Sequence, residues 1–367
     1  MKSVGIVLLT VAALASASCG PREMNLRPTI AYVGEIMNGT RARERSVMEA
    51  SAEPEPSGSI CVVGNWKACY GYADYLSAYD RRDNVSGAHS ADALPDFAGE
   101  TIACIADDTP FTSRAVSGDT LELRRQAVMR VVCALDTVVH ITPYDTEGSG
   151  TKASSKIVVL ADPCLVEYGM FDIDTLKTSL GNSVPVISPI GLMLESVFRL
   201  HPGRNINIGI IYDSELAPED IYYRQFSRIA SLNGVPGSAC VAFPADGRDS
   251  LLHRLVESYA SSGGSRPLDA VLVDAPAVSP DSVKTELAGM VSLMNESSLT
   301  YGKMISGDFR LVHGFDVVAE YCYDTLRSHN LFTHNISMPE VVLYRPVQNP
   351  ASGDGEIILI PDLYVQN

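Results

Sequence analysis

The sequence predicts an α/β fold with mainly parallel sheets flanked by helices. The first basis is an alternation of short apolar runs with segments of helical spacing, which is clearest between Lys156 and Ser214. Three runs in this stretch lack polar alternation: Ile157–Ala161, Val184–Ser188 and Ile206–Tyr212. Such runs are typical of strands buried on both faces of a parallel sheet. The 367 residues, 46% of them hydrophobic, are enough for two such domains or one large one.

Residues 1–18 have the pattern of an export signal. A basic start precedes the apolar run Val4–Ala15, which is too short to span a bilayer as a mature helix. Small residues then lead to Cys19-Gly20, and this succession resembles a bacterial lipoprotein signal in which Cys19 becomes the lipidated first residue. The alternative is an ordinary secretory signal cut after Ala17 or Ser18. With residues 19–27 as a tether, we expect a protein of the cell envelope, lipid-anchored to a bacterial membrane and facing the periplasm or the outside.

The formal net charge of −16 limits the partners of this chain. Nucleic acid and anionic membrane surfaces repel an acidic protein, so neither is expected as the main partner. A small anionic ligand stays open, because a few local donors can override the overall field. The sequence has no glycine-rich phosphate loop, no Ser/His/Asp motif and no metal motif, so it predicts neither a cofactor nor a metal.

Seven cysteines follow Cys19, and none of them lies in a CxxC pair or in a Cys/His cluster with zinc spacing. Because an exported protein can form disulfides, Cys61 and Cys69 are the best candidates for a local bridge. Four others lie in apolar periodic runs and are predicted to be buried free thiols: Cys104, Cys133, Cys240 and Cys322.

The same signals place the remaining elements. Strands are predicted at Thr29–Val33, Ile60–Gly64, Thr101–Ala106, Ala239–Phe243, Leu268–Val273 and Gly302–Ser306, and a late hairpin at Val341–Tyr344 and Ile357–Pro361. Helices are predicted within residues 35–55 and 65–79, and at 119–135, 218–232, 249–262, 279–295 and 315–330. Residues 81–97 form a polar loop. Tyr72, Tyr75 and Tyr79 follow helical spacing, which favours a packed aromatic stripe over a ligand cage.

Polar residues stand at the ends of several predicted strands. Ligands of open α/β sheets bind beyond the carboxyl ends of the strands, so these residues are the candidate lining of a site for a small polar molecule. They are Asp107, Asp108, Thr109, Asp162, Ser188, Asp213, Ser214 and Asp274. Structural roles stay open, because aspartate is common in turns and Asp213-Ser214 can cap the following helix. His140 and His313 have no matched partner and are predicted to be structural.

The order of strands and helices between Pro28 and Phe332, apart from the polar loop, resembles the aspartate/glutamate racemase superfamily, and glutamate racemase in particular. The likeness rests on short strings in the same order: Ala106–Phe111 (ADDTPF), Ile157–Pro163 (IVVLADP), Val184–Ile187 (VPVI), Ile208–Ser214 (IGIIYDS) and Asp269–Ala275 (DAVLVDA). The resemblance implies two pseudo-symmetric α/β lobes within residues 28–332 that enclose a substrate between their strand ends. Residues 333–367 then add the C-terminal strands.

The chain departs from that family at the reacting positions. The resemblance calls for a cysteine on each side of the substrate, one to remove the α-proton and one to return it. Ala161 and Asp274 stand at those two positions, and Asp162 stands where the family has an asparagine. Val33-Gly34 stands at the place of an early Asp-Ser pair, and Cys164 lies three residues beyond the first cysteine position. A carboxylate of ordinary pKa is a weak base for an α-proton, so we expect no racemisation of glutamate or aspartate.

Three hypotheses follow. The first is a racemase-like lobe pair that binds an amino-acid-like ligand without converting it. The second is a type I periplasmic solute-binding lipoprotein, which also has two α/β lobes. The third is an active amino-acid racemase or isomerase with a non-standard pair, Asp162 with Asp274 or Cys164 with Asp274. Opposed Asp162 and Asp274 across a closed cleft would favour a racemase-like arrangement, whereas three hinge crossings between the lobes would favour the solute-binding protein.

Overall fold

The computed structural model describes residues 27–145, 147–247, 250–264, 266–296, 304–335, 337–350 and 355–362. The predicted export signal and most of the tether, including Cys19, lie outside these residues, so lipid attachment stays a prediction. In the described part of the chain, no helix combines the length and the hydropathy needed to cross a membrane.

Helices and strands alternate along most of the described chain. The helices are α1 (Ala31–Asn38), α2 (Ala42–Ala50), α3 (Trp66–Ala78), α4 (Phe111–Ser117), α5 (Thr120–Leu135), α6 (Pro163–Leu180), α7 (Pro189–Leu200), α8 (Glu219–Leu232), α9 (Leu251–Ser261), α10 (Pro280–Glu296) and α11 (Gly314–Ser328). The strands are β1 (Ser59–Asn65), β2 (Thr101–Asp107), β3 (Val138–Val139), β4 (Gly150–Thr151), β5 (Ser155–Leu160), β6 (Val186–Ile187), β7 (Asn207–Tyr212), β8 (Ala239–Pro244), β9 (Leu268–Asp274), β10 (Ile305–His313), β11 (Glu340–Gln348) and β12 (Ile357–Pro361).

Two sheets organise the described residues. The first has the order β12-β11-β2-β1-β5-β6, and the second has the order β10-β9-β7-β8. All pairings within them are parallel except the late hairpin of β11 and β12; β3 and β4 form a separate antiparallel pair. The predicted α/β class with mainly parallel sheets is therefore confirmed, and the late hairpin adds its strands to the first sheet.

Apolar clusters cover both faces of the first sheet, because alternate side chains of a strand point to opposite faces. In β1, Cys61 and Val63 belong to one cluster, while Ile60 and Val62 belong to the other. Cys69, on α3, packs in the second cluster. Cys61 and Cys69 thus lie on opposite faces of the sheet, and both are free thiols. The predicted bridge between them is wrong, since no side-chain rotation can bring the two sulfurs through the sheet.

The predicted first strand, Thr29–Val33, is also wrong. Helix α1 begins at Ala31 and buries Tyr32, Val33 and Ile36, so this apolar run is the inner face of a helix. A run of five residues cannot be assigned by periodicity alone. Val33-Gly34 therefore does not stand at a strand end. The first strand of the sheet is β1, which ends at Gly64-Asn65.

Two further elements differ from expectation. The strand predicted at Gly302–Ser306 extends from Ile305 to His313, and its partly exposed side chains gave no apolar run that could mark it. Helix α4 was not predicted, because its seven residues follow Pro110 directly and contain only one buried side chain, Phe111. The predicted polar loop between α3 and β2 is confirmed.

Candidate functional site

The ends of three strands of the first sheet meet at one edge. The parallel register of β1 and β2 places Asn65 beside Asp107. The Asn65 side chain accepts a hydrogen bond from the Ala68 amide at 2.8 Å and so caps α3. Asp107 forms an ion pair with Arg130 at 2.6 Å, and it also accepts hydrogen bonds from the amide and the hydroxyl of Thr109. The carboxylate of Asp107 is therefore already paired within the protein.

Asp162 follows β5 at the same edge and is 3% exposed. Its Oδ1 accepts hydrogen bonds from the amides of Cys164 at 2.9 Å and Leu165 at 3.0 Å, so it caps α6. Burial raises the pKa of Asp162 to about 6, although these two amides and the charge of Arg130 act in the opposite direction. Asp162 therefore has a structural role as a helix cap, and burial also perturbs its carboxyl.

The second sheet supplies Asp213 and Asp274, because the register of β7 and β9 places Tyr212 beside Asp274. Asp274 is 7% exposed. The pKa of Asp274 is raised to about 7, chiefly by burial; the hydroxyl of Tyr222 acts in the opposite direction, and the charges of Asp162 and Asp213 add to the effect of burial. Asp162 of the first sheet is thus near enough to Asp274 of the second for its charge to raise the pKa of Asp274.

Three buried polar atoms of the site residues lack a well-formed hydrogen bond among the described residues: Oδ2 of Asp274, Oη of Tyr222 and, beside Asp107, Nε of Arg130. The first two groups are close enough for the hydroxyl to lower the pKa of Asp274, but their geometry is not that of a hydrogen bond. A buried polar group without a partner costs about 1–3 kcal/mol. Native proteins rarely keep such groups unless a water, an ion or a ligand satisfies them.

Contacts between the two sheets' helices and loops close this boundary. Lys67 on α3 forms an ion pair with Asp213 at 2.5 Å, and the Thr112 hydroxyl donates to the carbonyl of Glu215 at 2.8 Å. The ring of Tyr72 packs edge-on against Phe315 with centroids 4.7 Å apart. The carboxyls at the strand ends are therefore enclosed, and a ligand reaches them only if these contacts open.

The described chain passes between the two sheets twice. It leaves the first sheet after β6 through α7, and it returns after β10 through α11 to form β11 and β12. A solute-binding protein of the type I class was expected to show three such crossings. The two crossings of the described chain therefore differ from the three expected for that class.

The remaining candidate residues are a buried helix cap, two exposed turn residues and a buried thiol. Ser188 is buried and caps α7 through the Gly191 amide at 3.2 Å. Asp108 and Ser214 are exposed and belong to the surface of their turns. The Cys164 thiol points to the carbonyl of Leu216 at 3.5 Å, and burial raises its pKa far above the ordinary value. Burial, with the charge of Asp162 beside it, therefore keeps Cys164 a neutral thiol.

Three residues of the site were not predicted from the sequence. Tyr222 and Lys67 carry no motif, because their contacts join segments about 50 and 150 residues apart in sequence. Arg130 did leave a signal: it is a charged residue on the buried face of α5, among apolar neighbours, and only 2% exposed. A charge at such a position requires a buried partner, which is Asp107.

The predicted structural roles of the two histidines agree with their contacts. His313 caps α11 by accepting from the Phe315 amide at 3.1 Å, and its Nε2 donates to the Val278 carbonyl at 2.8 Å. Burial lowers the pKa of His313 to about 4, so the ring is neutral at pH 7. The His140 ring contacts the Asp145 carbonyl. Within the described ranges, no group of three or more His, Cys, Asp or Glu side chains is placed to hold a metal ion.

The sequence matches no protein-family model and no curated protein. Among solved structures, it is similar to a glutamate racemase from Francisella tularensis subsp. tularensis SCHU S4 in complex with D-glutamate, with 12% identity, a TM-score of 0.47, and coverage of 79% of this chain and 88% of that chain. A glutamate racemase isoform from Bacillus anthracis has 12% identity, a TM-score of 0.46 and coverage of 78% and 88%. The glutamate racemase from Campylobacter jejuni subsp. jejuni has 12% identity, a TM-score of 0.39 and coverage of 78% and 92%.

Proposed function

We propose that this chain is an exported, lipid-anchored protein that binds a small polar, amino-acid-like ligand between the carboxyl ends of its two sheets, without racemising it. The observation that carries the proposal is a pair of neighbouring buried polar atoms near the strand ends, Asp274 Oδ2 and Tyr222 Oη, that form no well-placed hydrogen bond among the described residues. A ligand with hydrogen-bond donors and acceptors would satisfy both atoms at once.

The charge of the site selects the class of ligand. Four carboxyls converge there, and the protein's own cations pair with two of them: Arg130 with Asp107 and Lys67 with Asp213. Among the described residues, no cationic side chain forms an ion pair with Asp162 or Asp274. A primary ammonium group would supply the missing positive charge and relieve the repulsion that raises the pKa of Asp274. The ligand is therefore expected to carry an ammonium group, as amino acids do.

The proposed absence of racemisation is supported by the side chains on the two sides of the site. Removal and return of an α-proton on opposite faces requires two groups that can each hold the proton in turn. Ala161 offers a methyl group, and the Oδ1 atom of Asp162 is committed to the two amides of the α6 cap. On the other side, Asp274 keeps Oδ2 outside any well-formed hydrogen bond with the described residues, so a proton can be held there but has no matching thiol opposite.

The test is a thermal-shift screen of residues 19–367 carrying Cys19→Ala, so that the protein is made without lipid. The probes are D- and L-amino acids, muropeptides and sugars. A ligand at 100 times its Kd stabilises the native state by about 2.7 kcal/mol, which raises Tm measurably. We expect the response to ammonium-bearing probes to be lost in Asp274→Asn and kept in Asp74→Asn, a matched change at an exposed position of α3. No response to any amino acid or muropeptide would contradict the proposal.

A second function is favoured by the position of Asp274, which is buried at the end of β9 with Oδ2 outside any well-formed hydrogen bond of the described residues. Burial raises its pKa to about 7, which suits a general base at neutral pH. In that case Asp274 and Asp162 would exchange the α-proton of an amino acid. The discriminating measurement is deuterium incorporation at the α-carbon of each enantiomer of glutamate and aspartate in heavy water. Ligand binding alone predicts no exchange above the control without protein. Exchange that Asp274→Asn abolishes and Asp74→Asn retains would establish the enzymatic alternative.

The export part of the proposal is supported by the succession of basic, apolar and small residues that ends at Cys19. Full-length protein produced in a bacterium is expected in the membrane fraction, with a mature N-terminal mass that includes lipid at Cys19. The Cys19→Ala protein should be absent from the lipid-modified fraction. A wild-type protein that begins at another residue and carries no lipid would contradict this part alone.

A further inference from the structure

Two cysteines share one buried layer between α3 and the first sheet. Cys69 lies on the inner face of α3, and its sulfur is 3.5 Å from the carbonyl oxygen of Val62 and 3.7 Å from that of Ile105. Cys104 lies on β2, and its sulfur is 3.6 Å from the carbonyl oxygen of Cys69 itself. Both side chains are 0% exposed. The Cys69 thiol therefore contacts the backbone of β1 and β2, and the Cys104 thiol contacts the backbone of α3.

The two side chains are also neighbours, since the Cys104 thiol lies against the carbonyl of Cys69. Burial, followed by the nearby Cys104 thiol, raises the pKa of Cys69 well above its ordinary value. The other cysteine of the central strands, Cys61, points to the opposite face of the sheet and packs in the other apolar cluster. The neighbourhood therefore singles out Cys69 and Cys104 as a pair.

We propose that Cys69 and Cys104 form an intramolecular disulfide when the chain folds in an oxidising compartment. The reaction needs a disulfide oxidant, either a thiol oxidoreductase or glutathione disulfide. One thiolate attacks the oxidant and forms a mixed disulfide, and the second displaces the oxidant's remaining thiolate. The two cysteines lose two electrons and two protons in total, and the oxidant is reduced to two thiols. In the cell the inference rests on the proposed export, whereas in vitro it does not.

Burial decides when the bond forms. A thiol with no exposed surface cannot meet an oxidant, so oxidation precedes the docking of α3 on the sheet, and the finished bond is then shielded from reductants. The bond would close the loop from residue 69 to residue 104, which contains the polar loop between α3 and β2. Closing this loop restricts the unfolded chain more than the folded one, which stabilises the native state.

The first measurement is a thiol count. The Cys19→Ala protein is refolded with oxidised and reduced glutathione, denatured, alkylated without reductant and weighed. We expect five of the seven thiols to be alkylated, and a digest to contain one linked peptide that joins Cys69 to Cys104. Alkylation of all seven, or a linked peptide that joins a different pair, would overturn the proposal. This count needs no variant to fold and does not involve the ligand, so its failure leaves the proposed binding function untouched.

Two matched variants separate this bond from a general effect of cysteine loss. Cys104→Ala should alkylate at all six remaining thiols, whereas Cys61→Ala, at the opposite face of the same sheet, should keep the bond and alkylate at four. A strong thiol reductant should lower Tm by roughly 5–10 °C in wild type and in Cys61→Ala, and leave Cys104→Ala unchanged. Equal shifts in the two variants would contradict the assignment.

Discussion

Replacement of Asp274 by asparagine should stabilise the protein relative to wild type, and this difference in the free energy of unfolding should grow as the pH rises through neutrality. Asn has the shape of a protonated Asp and carries no titrating proton. Burial and the charges of Asp162 and Asp213 raise the pKa of Asp274 to about 7, while in the unfolded chain an aspartate has its ordinary pKa near ~3.9. The folded state therefore binds a proton more tightly than the unfolded state between these two values.

The sign and size follow from proton linkage. A group whose pKa is raised on folding contributes stability that is fully present below its unfolded pKa and is lost as the pH rises through its folded pKa. For Asp274, about 2.5 kcal/mol should be lost between pH 5 and pH 8. His313 acts in the opposite direction over the acidic part of this range, because burial lowers its pKa to about 4. The difference between variant and wild type removes the contribution of His313 and isolates Asp274.

The assay is urea denaturation of wild type and Asp274→Asn at pH 5, 6, 7 and 8. The free energy of unfolding of the variant should gain on that of wild type by about 2.5 kcal/mol from pH 5 to pH 8. Asp74→Asn, which removes an exposed carboxyl from α3, should give a profile parallel to that of wild type. If Asp274→Asn also runs parallel to wild type, Asp274 does not titrate near neutrality and the electrostatic account of the site fails.

Two other predictions concern packing and histidine titration. Gly169→Ala should destabilise the protein by roughly 1–3 kcal/mol, because a Cβ there would lie 2.1 Å from the Ala127 Cβ at the contact of α6 with α5. Gly289→Ala, at an open helical position, should stabilise it by roughly 0.5–1 kcal/mol. If urea denaturation shows that both substitutions change the free energy of unfolding in the same direction, the close contact of α6 with α5 is contradicted. His313→Asn keeps a capping acceptor but removes the titration, so between pH 7 and pH 5 the variant should lose about 2 kcal/mol less of its unfolding free energy than wild type does. Equal losses in urea denaturation would show that His313 is not held neutral.

The central strands could be predicted because their burial leaves a direct trace in the sequence. A strand covered on both faces has an unbroken central run without polar side chains, as in residues 157–160 of β5, 208–211 of β7 and 270–273 of β9, and polar or small residues end the run. Where burial is partial, this trace disappears. Strand β10 has mostly half-exposed side chains, and its bounds were therefore predicted wrongly. Helix α1 buries only three residues, and its apolar run was therefore predicted as a strand.

The sequence could predict which strand ends line the site, but not which of their side chains point into it. The carboxyl ends of parallel strands share an edge, so a list of strand ends contained Asp107, Asp162, Asp213 and Asp274. It also contained Asp108 and Ser214, which are exposed, since a strand end fixes an edge but not a side-chain direction. The pairing of each carboxyl with a cation or an amide depends on contacts between helices that are distant in sequence. Those contacts decide which carboxyls are left without a counter-charge.

Asp274 is a residue whose chemical type is unfavourable for the stability of the folded state. A buried carboxyl without an ion pair lowers the stability of the folded state at neutral pH, and a neutral side chain of the same shape would avoid the cost. Residues that break a local rule in this way concentrate at functional sites. A purely structural Asp274 predicts that Asp274→Asn changes stability alone. A ligand site predicts opposite outcomes for the same variant, a gain of stability at pH 8 and a loss of the thermal response to ammonium-bearing probes. Because the two readouts move in opposite directions, neither misfolding nor a general rigidification of the variant can produce both.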